Sequence, residues 1–165
     1  MRKIFVAIFI TASVLSLSCK KDLKPGETAA VKAANGWWVT FKLGGSDVYG
    51  IGTFFIDTYN TSANDDSLWI DDLGHSWGFK SKVKIDFNAL TFSATNSTNV
   101  YYDPAHNFTA ATATITEGKI LHNAGRSKSG NPTDSIYFKA NFPDDPTDTY
   151  EIAGTARTGF IEDDY

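Results

Sequence analysis

The sequence predicts an all-β protein, an up-and-down antiparallel barrel of about eight strands, and three observations carry that expectation. From Gly36 onward apolar and polar residues alternate with a period of two, which gives each strand one apolar face. Short clusters of Gly, Asn, Asp, Ser and Pro interrupt the alternation at hairpin spacing. No window sustains the 3.6-residue apolar stripe of a helix. The chain of 165 residues is 42% hydrophobic and 14% aromatic, enough for one domain with a ring-rich core.

The elements follow in order. Trp37, Val39, Phe41 and Leu43 share one face of a first strand, and Trp38, Thr40 and Lys42 the other. Gly44-Gly45-Ser46-Asp47 is a turn, because glycine supplies the positive φ that tight hairpins require. Residues 48–58 read as a second strand, bent at Gly50 and Gly52, and residues 68–71 as a short third. Trp77, Phe79, Val83 and Ile85 alternate with Lys80, Lys82 and Lys84 in the clearest inside–outside pattern of the chain. Leu90, Phe92 and Ala94 mark the next strand.

After a loop with Pro104 and His106, strand segments are expected at 111–116 and 119–122, then a loop over 125–133. Ile136, Phe138, Ala140 and Phe142 alternate again, residues 143–148 turn the chain, and Tyr150, Ile152, Gly154, Ala156 and Phe160 close it. Near-sequential hairpins favour a closed barrel, which abolishes sheet edges and encloses side chains or one small ligand. A Greek-key sandwich is the alternative.

The first residues carry an address. Met1-Arg2-Lys3 is basic, residues 4–17 are mostly apolar, and Ser18 precedes the only cysteine, Cys19. This is the order of a secretory signal, and its apolar run falls short of the roughly 20 residues of a membrane span. Leu15-Ser16-Leu17-Ser18-Cys19 resembles the lipobox of bacterial lipoproteins, with Ser16 standing where leucine is commonest. That resemblance implies cleavage before Cys19, a diacylated thiol and a place in the cell envelope, at the outer membrane on its periplasmic or surface face. Two acyl chains make anchoring stable. The expected organisation is a signal peptide at 1–18, a flexible tether at 19–35 with a helical turn near 28–34, and the barrel at 36–165.

A net charge of −4 with no basic stripe excludes nucleic acid as a partner. A single cysteine excludes an internal disulfide. Removing residues 1–18 takes Arg2 and Lys3, so the mature body is still more acidic, and the lipid rather than the protein surface holds it to the membrane.

Gly36-Trp37-Trp38 on the first strand with Arg157 in the last resembles the lipocalins, in which an arginine from the chain's end covers a strand-one tryptophan. The implied contact is a cation–π pair. The plainer reading is that Trp37 and Trp38 are a strand's inner and outer aromatics. The run from Thr58 to Asp72, followed by Trp77-Gly78-Phe79-Lys80-Ser81-Lys82-Val83, is similar to a family of Gram-negative lipoproteins described as lipid-binding putative hydrolases. Trp37-Trp38-Val39-Thr40 and Gly154-Thr155-Ala156-Arg157-Thr158-Gly159 extend the likeness across the body. The resemblance implies a lipocalin-like barrel with an apolar pocket; it supplies no catalytic motif.

By alternation, the pocket candidates are Trp37, Phe41, Phe54, Trp77, Phe79, Phe92 and Phe138, with Val39, Val83 and Ile152 also inward. Ala111, Ala113, Ala140, Gly154 and Ala156 either leave room in a hollow barrel or admit neighbouring rings in a packed one. The expected ligand is a small apolar or amphipathic, lipid-like molecule, with no cofactor. Against an enzyme stands the lack of a Gly-x-Ser-x-Gly elbow: Ser46 is explained by its turn, and His75, His106 and His122 read as surface histidines. A weak lipid-ester hydrolase is therefore a lesser alternative. Among Asn64, Asp65, Asp66, Asp71, Asp72 and His75, the amide and carboxylates supply oxygen ligands of the type calcium prefers, but not at EF-hand spacing, and the group reads as acidic hairpin ends. No metal is expected. Trp38, Tyr49, Tyr101 and Tyr102 are candidates for an exposed aromatic patch that meets an envelope protein or a glycan.

Overall fold

The computed structural model describes residues 28–165. Eight strands form one closed antiparallel barrel in sequence order: β1 (Asn35–Lys42), β2 (Thr53–Asn60), β3 (Ser67–Asp71), β4 (Lys80–Asp86), β5 (Thr91–Thr98), β6 (Thr112–Arg126), β7 (Pro132–Phe142) and β8 (Asp145–Ala156). The seam is β1 against β8, where Trp37 lies opposite Ala156 and Phe41 opposite Ile152. Closure through this seam replaces the two-sheet alternative. Cys19 and the signal segment lie outside the described residues.

Alternation sets the walls as expected. Trp37, Val39 and Phe41 are buried on β1, Val83 and Ile85 on β4, and Ile136, Phe138, Ala140 and Phe142 on β7. The barrel interior is packed ring on ring. Phe92 and Phe138 have centroids 5.8 Å apart, Phe79 and Phe142 5.3 Å, and Phe41 and Tyr150 4.5 Å. Ala113, Ala140 and Ala156 are buried among these rings, whereas Ala111 is exposed and does not face the interior.

Several boundaries differ from the sequence reading, each for a local reason. Residues 48–52 are a loop rather than the start of β2. The Asp47 carboxylate accepts from the backbone N–H of Ile51 (3.1 Å) and of Gly52 (2.8 Å), capturing donors that a ladder needs. The two segments expected at 111–116 and 119–122 are one strand, β6. A bulge with Glu117 at φ +55° moves the buried positions from Ala113 and Ile115 to Gly118 and Ile120. One extra residue flips the face, which breaks the alternation without ending the strand. Strand pairing extends to Arg126 and resumes at Pro132, so the 125–133 loop is shorter than expected. Likewise β8 begins at Asp145, and Phe160 lies beyond it, exposed.

One end of the barrel is sealed by the N-terminal segment. Residues 28–34 form the expected turn, but they are not tether: Ala30 and Ala33 are fully buried. The Trp37 indole N–H donates to Thr58 Oγ1 (2.8 Å), whose hydroxyl donates to the Ala33 carbonyl. Arg157 does not cover Trp37. Its guanidinium lies 6.0 Å from the Phe55 ring and grips Asp164 through Nε (2.7 Å) and Nη2 (2.6 Å), while Trp38 Nε1 donates to the same carboxylate. Trp38 is thus the outer aromatic of the pair, packed edge-on against Phe55.

Candidate functional site

Opposite the sealed end lies the mouth, framed by the chain reversals at 43–52, 72–79, 99–111 and 143–144. Trp77 lies across it, only partly buried. Its indole stacks on Phe142 at 5.1 Å and 5°, and on Phe41 at 6.0 Å. Tyr150 lies 5.0 Å away and Tyr49 meets the ring edge-on at 5.7 Å. Tyr49 is half exposed, so the cluster runs from the solvent into the barrel without a polar break in its rings.

Polar groups fix the rim. The Trp77 Nε1–H donates to Asp144 Oδ1 (3.1 Å), and the other oxygen of Asp144 accepts from the Thr109 hydroxyl. The hydroxyls of Tyr49 and Tyr150 are 2.9 Å apart, and Tyr150 donates onward to Asp145. Burial, then the bonds to Asp145 and Tyr49, push the Tyr150 phenol far above its usual range, so it stays a neutral donor.

Trp77 is placed by the carboxylate of Asp72, which is fully buried. Asp72 accepts five hydrogen bonds, from the backbone N–H of Gly74, Ser76, Gly78 and Phe79 and from the Ser76 hydroxyl. Gly78 has φ +74°, and the Phe108 ring occupies the space where a Cβ would sit, 2.1 Å from it. Asn99 joins this loop to the next, donating to the carbonyls of Gly78 and Ala110 (2.9 Å each) and accepting from Lys80 N–H.

The sequence-derived pocket residues divide between the ends. Phe41, Trp77 and Phe79 meet at the mouth, Trp37 belongs to the sealed end, and Phe92, Phe54 and Phe138 are interior wall. Phe142 and Tyr150, which alternation marked as inward but which were not singled out as pocket residues, are the rings that Trp77 rests on. Asp72 and Asn99 were missed as organisers. The signal for Asp72 was present in Asp72-Leu73-Gly74-His75-Ser76, an Asx-turn pattern.

A concavity of about 920 Å³ lies away from the mouth, between β4, β5 and β6, lined by residues such as Lys84, Asp86, Phe87, Ser93 and Lys119. Ile85 and Phe92 are turned into the core beneath it, and its accessible lining is more apolar than polar, with Phe87 set among charged and hydroxylated neighbours. The mouth, in contrast, presents rings.

Other candidate chemistry is engaged elsewhere. Asp71 accepts from the hydroxyls of Tyr101 (2.6 Å) and Tyr59 (2.7 Å), with Lys80 at 3.4 Å. Burial pushes its carboxyl up, and these donors outweigh burial and hold it below its ordinary value. Asn64 accepts from Ala29 N–H, and Asp65 from Ser67. His106 and His122 pair with Asp103 and Asp134, and His75 Nδ1 lies 2.8 Å from the Phe55 carbonyl oxygen. Ser46 forms the expected turn with Leu43.

An eight-stranded up-and-down barrel, sealed at one end and ring-lined at the other, defines a lipocalin-like protein. Within that class the chain belongs to the family described as lipid-binding putative hydrolase, whose family model matches residues 22–161. No curated protein matches it.

Proposed function

We propose that the protein is a lipid-anchored cell-envelope lipoprotein that receives a small apolar or amphipathic, lipid-like ligand at the aromatic mouth of its barrel. The observation that carries this reading is Trp77, a partly buried indole resting on four rings at the mouth, with its polar edge held by an exposed aspartate. Membership of a lipid-binding family supports the ligand class.

The test is titration of the chain with the neutral, apolar fluorophore N-phenyl-1-naphthylamine. Saturable binding near one probe per chain is expected. Trp77→Ala weakens it about tenfold, equivalent to about 1.4 kcal/mol, while Trp77→Phe keeps most of it. Absence of binding, or affinity indifferent to both Trp77→Ala and Tyr49→Ala, refutes the mouth as the site.

Anchoring rests on the lipobox-like run before Cys19, and the described chain begins at the sealed end of the barrel, away from the mouth. Intact mass measurement of the membrane fraction is expected to show diacylated Cys19 as the first residue. A Cys19→Ser chain that stays equally membrane-bound rules this out.

A further inference from the structure

We infer that the sealed end of the barrel rests on a lipid bilayer through an apolar tip, Phe160 and Ile161, so that the mouth faces away from the membrane. The inference rests on the proposed acyl anchor at Cys19 and names the surface that the body presents to the bilayer holding it.

Among the described residues every phenylalanine and isoleucine is buried or half-buried except these two, which are 61% and 88% exposed. They do not sit on a loose tail. The Phe160 carbonyl accepts from the Asp163 N–H (3.1 Å) and the Ile161 carbonyl from the Asp164 N–H (3.2 Å), which closes a tight turn. The Thr158 hydroxyl accepts from the Phe160 N–H (3.3 Å) and donates to Asp163 (2.6 Å), which also accepts from the Ser129 N–H (2.7 Å). Arg157 and Trp38 hold the Asp164 carboxylate, and Lys128 Nζ donates to the Asp164 carbonyl (2.7 Å). These bonds turn both aspartates back toward the body and leave the two apolar side chains outermost. Apolar side chains held outward by a fixed polar frame mark a surface that meets something apolar.

The place of the tip says what it meets. The Arg157 N–H donates to the Gly36 carbonyl at the start of β1, and Ser129 lies in the reversal between β6 and β7, so the turn stands at the sealed end. The described chain begins at this same end, where the Ala29 N–H donates to Asn64. Cys19 stands nine positions before Thr28, and nine residues span at most about 30 Å. A bilayer that holds Cys19 is therefore kept within that distance of the point where the described chain begins. Two side chains contribute little to binding from free solution. On a body already tethered the same contact is intramolecular, and it decides which end meets the headgroup layer.

The acylated full chain, reconstituted into vesicles of phosphatidylethanolamine and phosphatidylglycerol, tests this. Acylation consumes the only cysteine, so Ile161→Cys offers a single free thiol for the fluorophore NBD, and Tyr102→Cys offers the same label at the mouth. Lipids spin-labelled at the headgroup are expected to quench the label at 161 at least about threefold more than the label at 102. Adding Phe160→Ser to the Ile161→Cys chain is expected to bring its quenching down to that at 102, with an unchanged melting curve because both side chains are exposed. Equal quenching at the two positions, deeper quenching at 102, or indifference to Phe160→Ser overturns the apolar tip and leaves anchoring standing. A chain that carries no acyl group and floats free of the vesicles overturns the anchoring reading, and the tip contact with it.

Discussion

Gly154→Ala is expected to prevent the barrel from closing. Gly154 lies opposite Val39 across the β1–β8 seam and opposite Ile136 on β7. A Cβ built there falls 1.9 Å from the Trp38 carbonyl oxygen and 2.6 Å from Val39 Cα. Both obstacles are backbone, so no side chain can swing aside, and relief requires the two strands to part. The seam joins the first strand to the last, and parting it opens the whole sheet. The expected cost is about 4 kcal/mol or more, a large share of the roughly 5–15 kcal/mol that holds a domain together. Urea unfolding followed by far-UV circular dichroism measures it. Gly36→Ala is the comparison: its Cβ meets only side chains, the Phe55 ring at 2.4 Å and Asp57 Oδ1 at 3.3 Å, and these can move, so a smaller loss is expected. A Gly154→Ala midpoint equal to the wild type would falsify the close approach of the seam.

The second large effect is expected from Asp72→Ala. The side chain is fully buried, and its removal strands the buried N–H groups of Gly78 and Phe79 together with those of Gly74 and Ser76. Each buried donor left without a partner costs about 1–3 kcal/mol, and the loop recovers part of this by admitting water. A net loss of about 3–5 kcal/mol follows. The loss has a local signature, because the same bonds set the direction of Trp77. The near-UV aromatic signal and probe binding at the mouth should fall together, while the far-UV strand signal persists at temperatures below the lowered melting point. Asp72→Asn keeps one acceptor oxygen and is expected to lose less. If the near-UV signal of Asp72→Ala matched the wild type, Trp77 would owe its position to the rings beneath it instead.

The barrel walls were largely legible in the sequence, because alternation is a local property. Lys80, Lys82 and Lys84 outside Val83 and Ile85, or Ile136 through Phe142 inside β7, follow from the pleat alone. Alternation misled where a local feature interrupts the pleat. The bulge at Glu117 made one strand look like two, and the Asp47 side chain took the backbone donors of what seemed the start of β2. Of the candidate site, the rings were legible but their grouping was not. Phe41 and Phe92 carry the same inward signal, yet one lies under Trp77 and the other packs against Phe138.

By itself, the sequence determined that this chain folds as β-strands with one apolar face each, that the apolar faces are rich in rings, and that the body carries net negative charge. Those follow from residue type and a period of two. Tertiary structure alone decided which end is open. The buried alanines at 30 and 33 close one end, four chain reversals distant in sequence gather at the other, and Trp77 meets Asp144 across 67 residues. It also decided that Gly154 serves the seam rather than a hollow interior, since only closure of β1 on β8 brings the Trp38 backbone against it. Periodicity tells each residue which face it occupies, and the folded ring of strands decides which distant residues share that face at the same height.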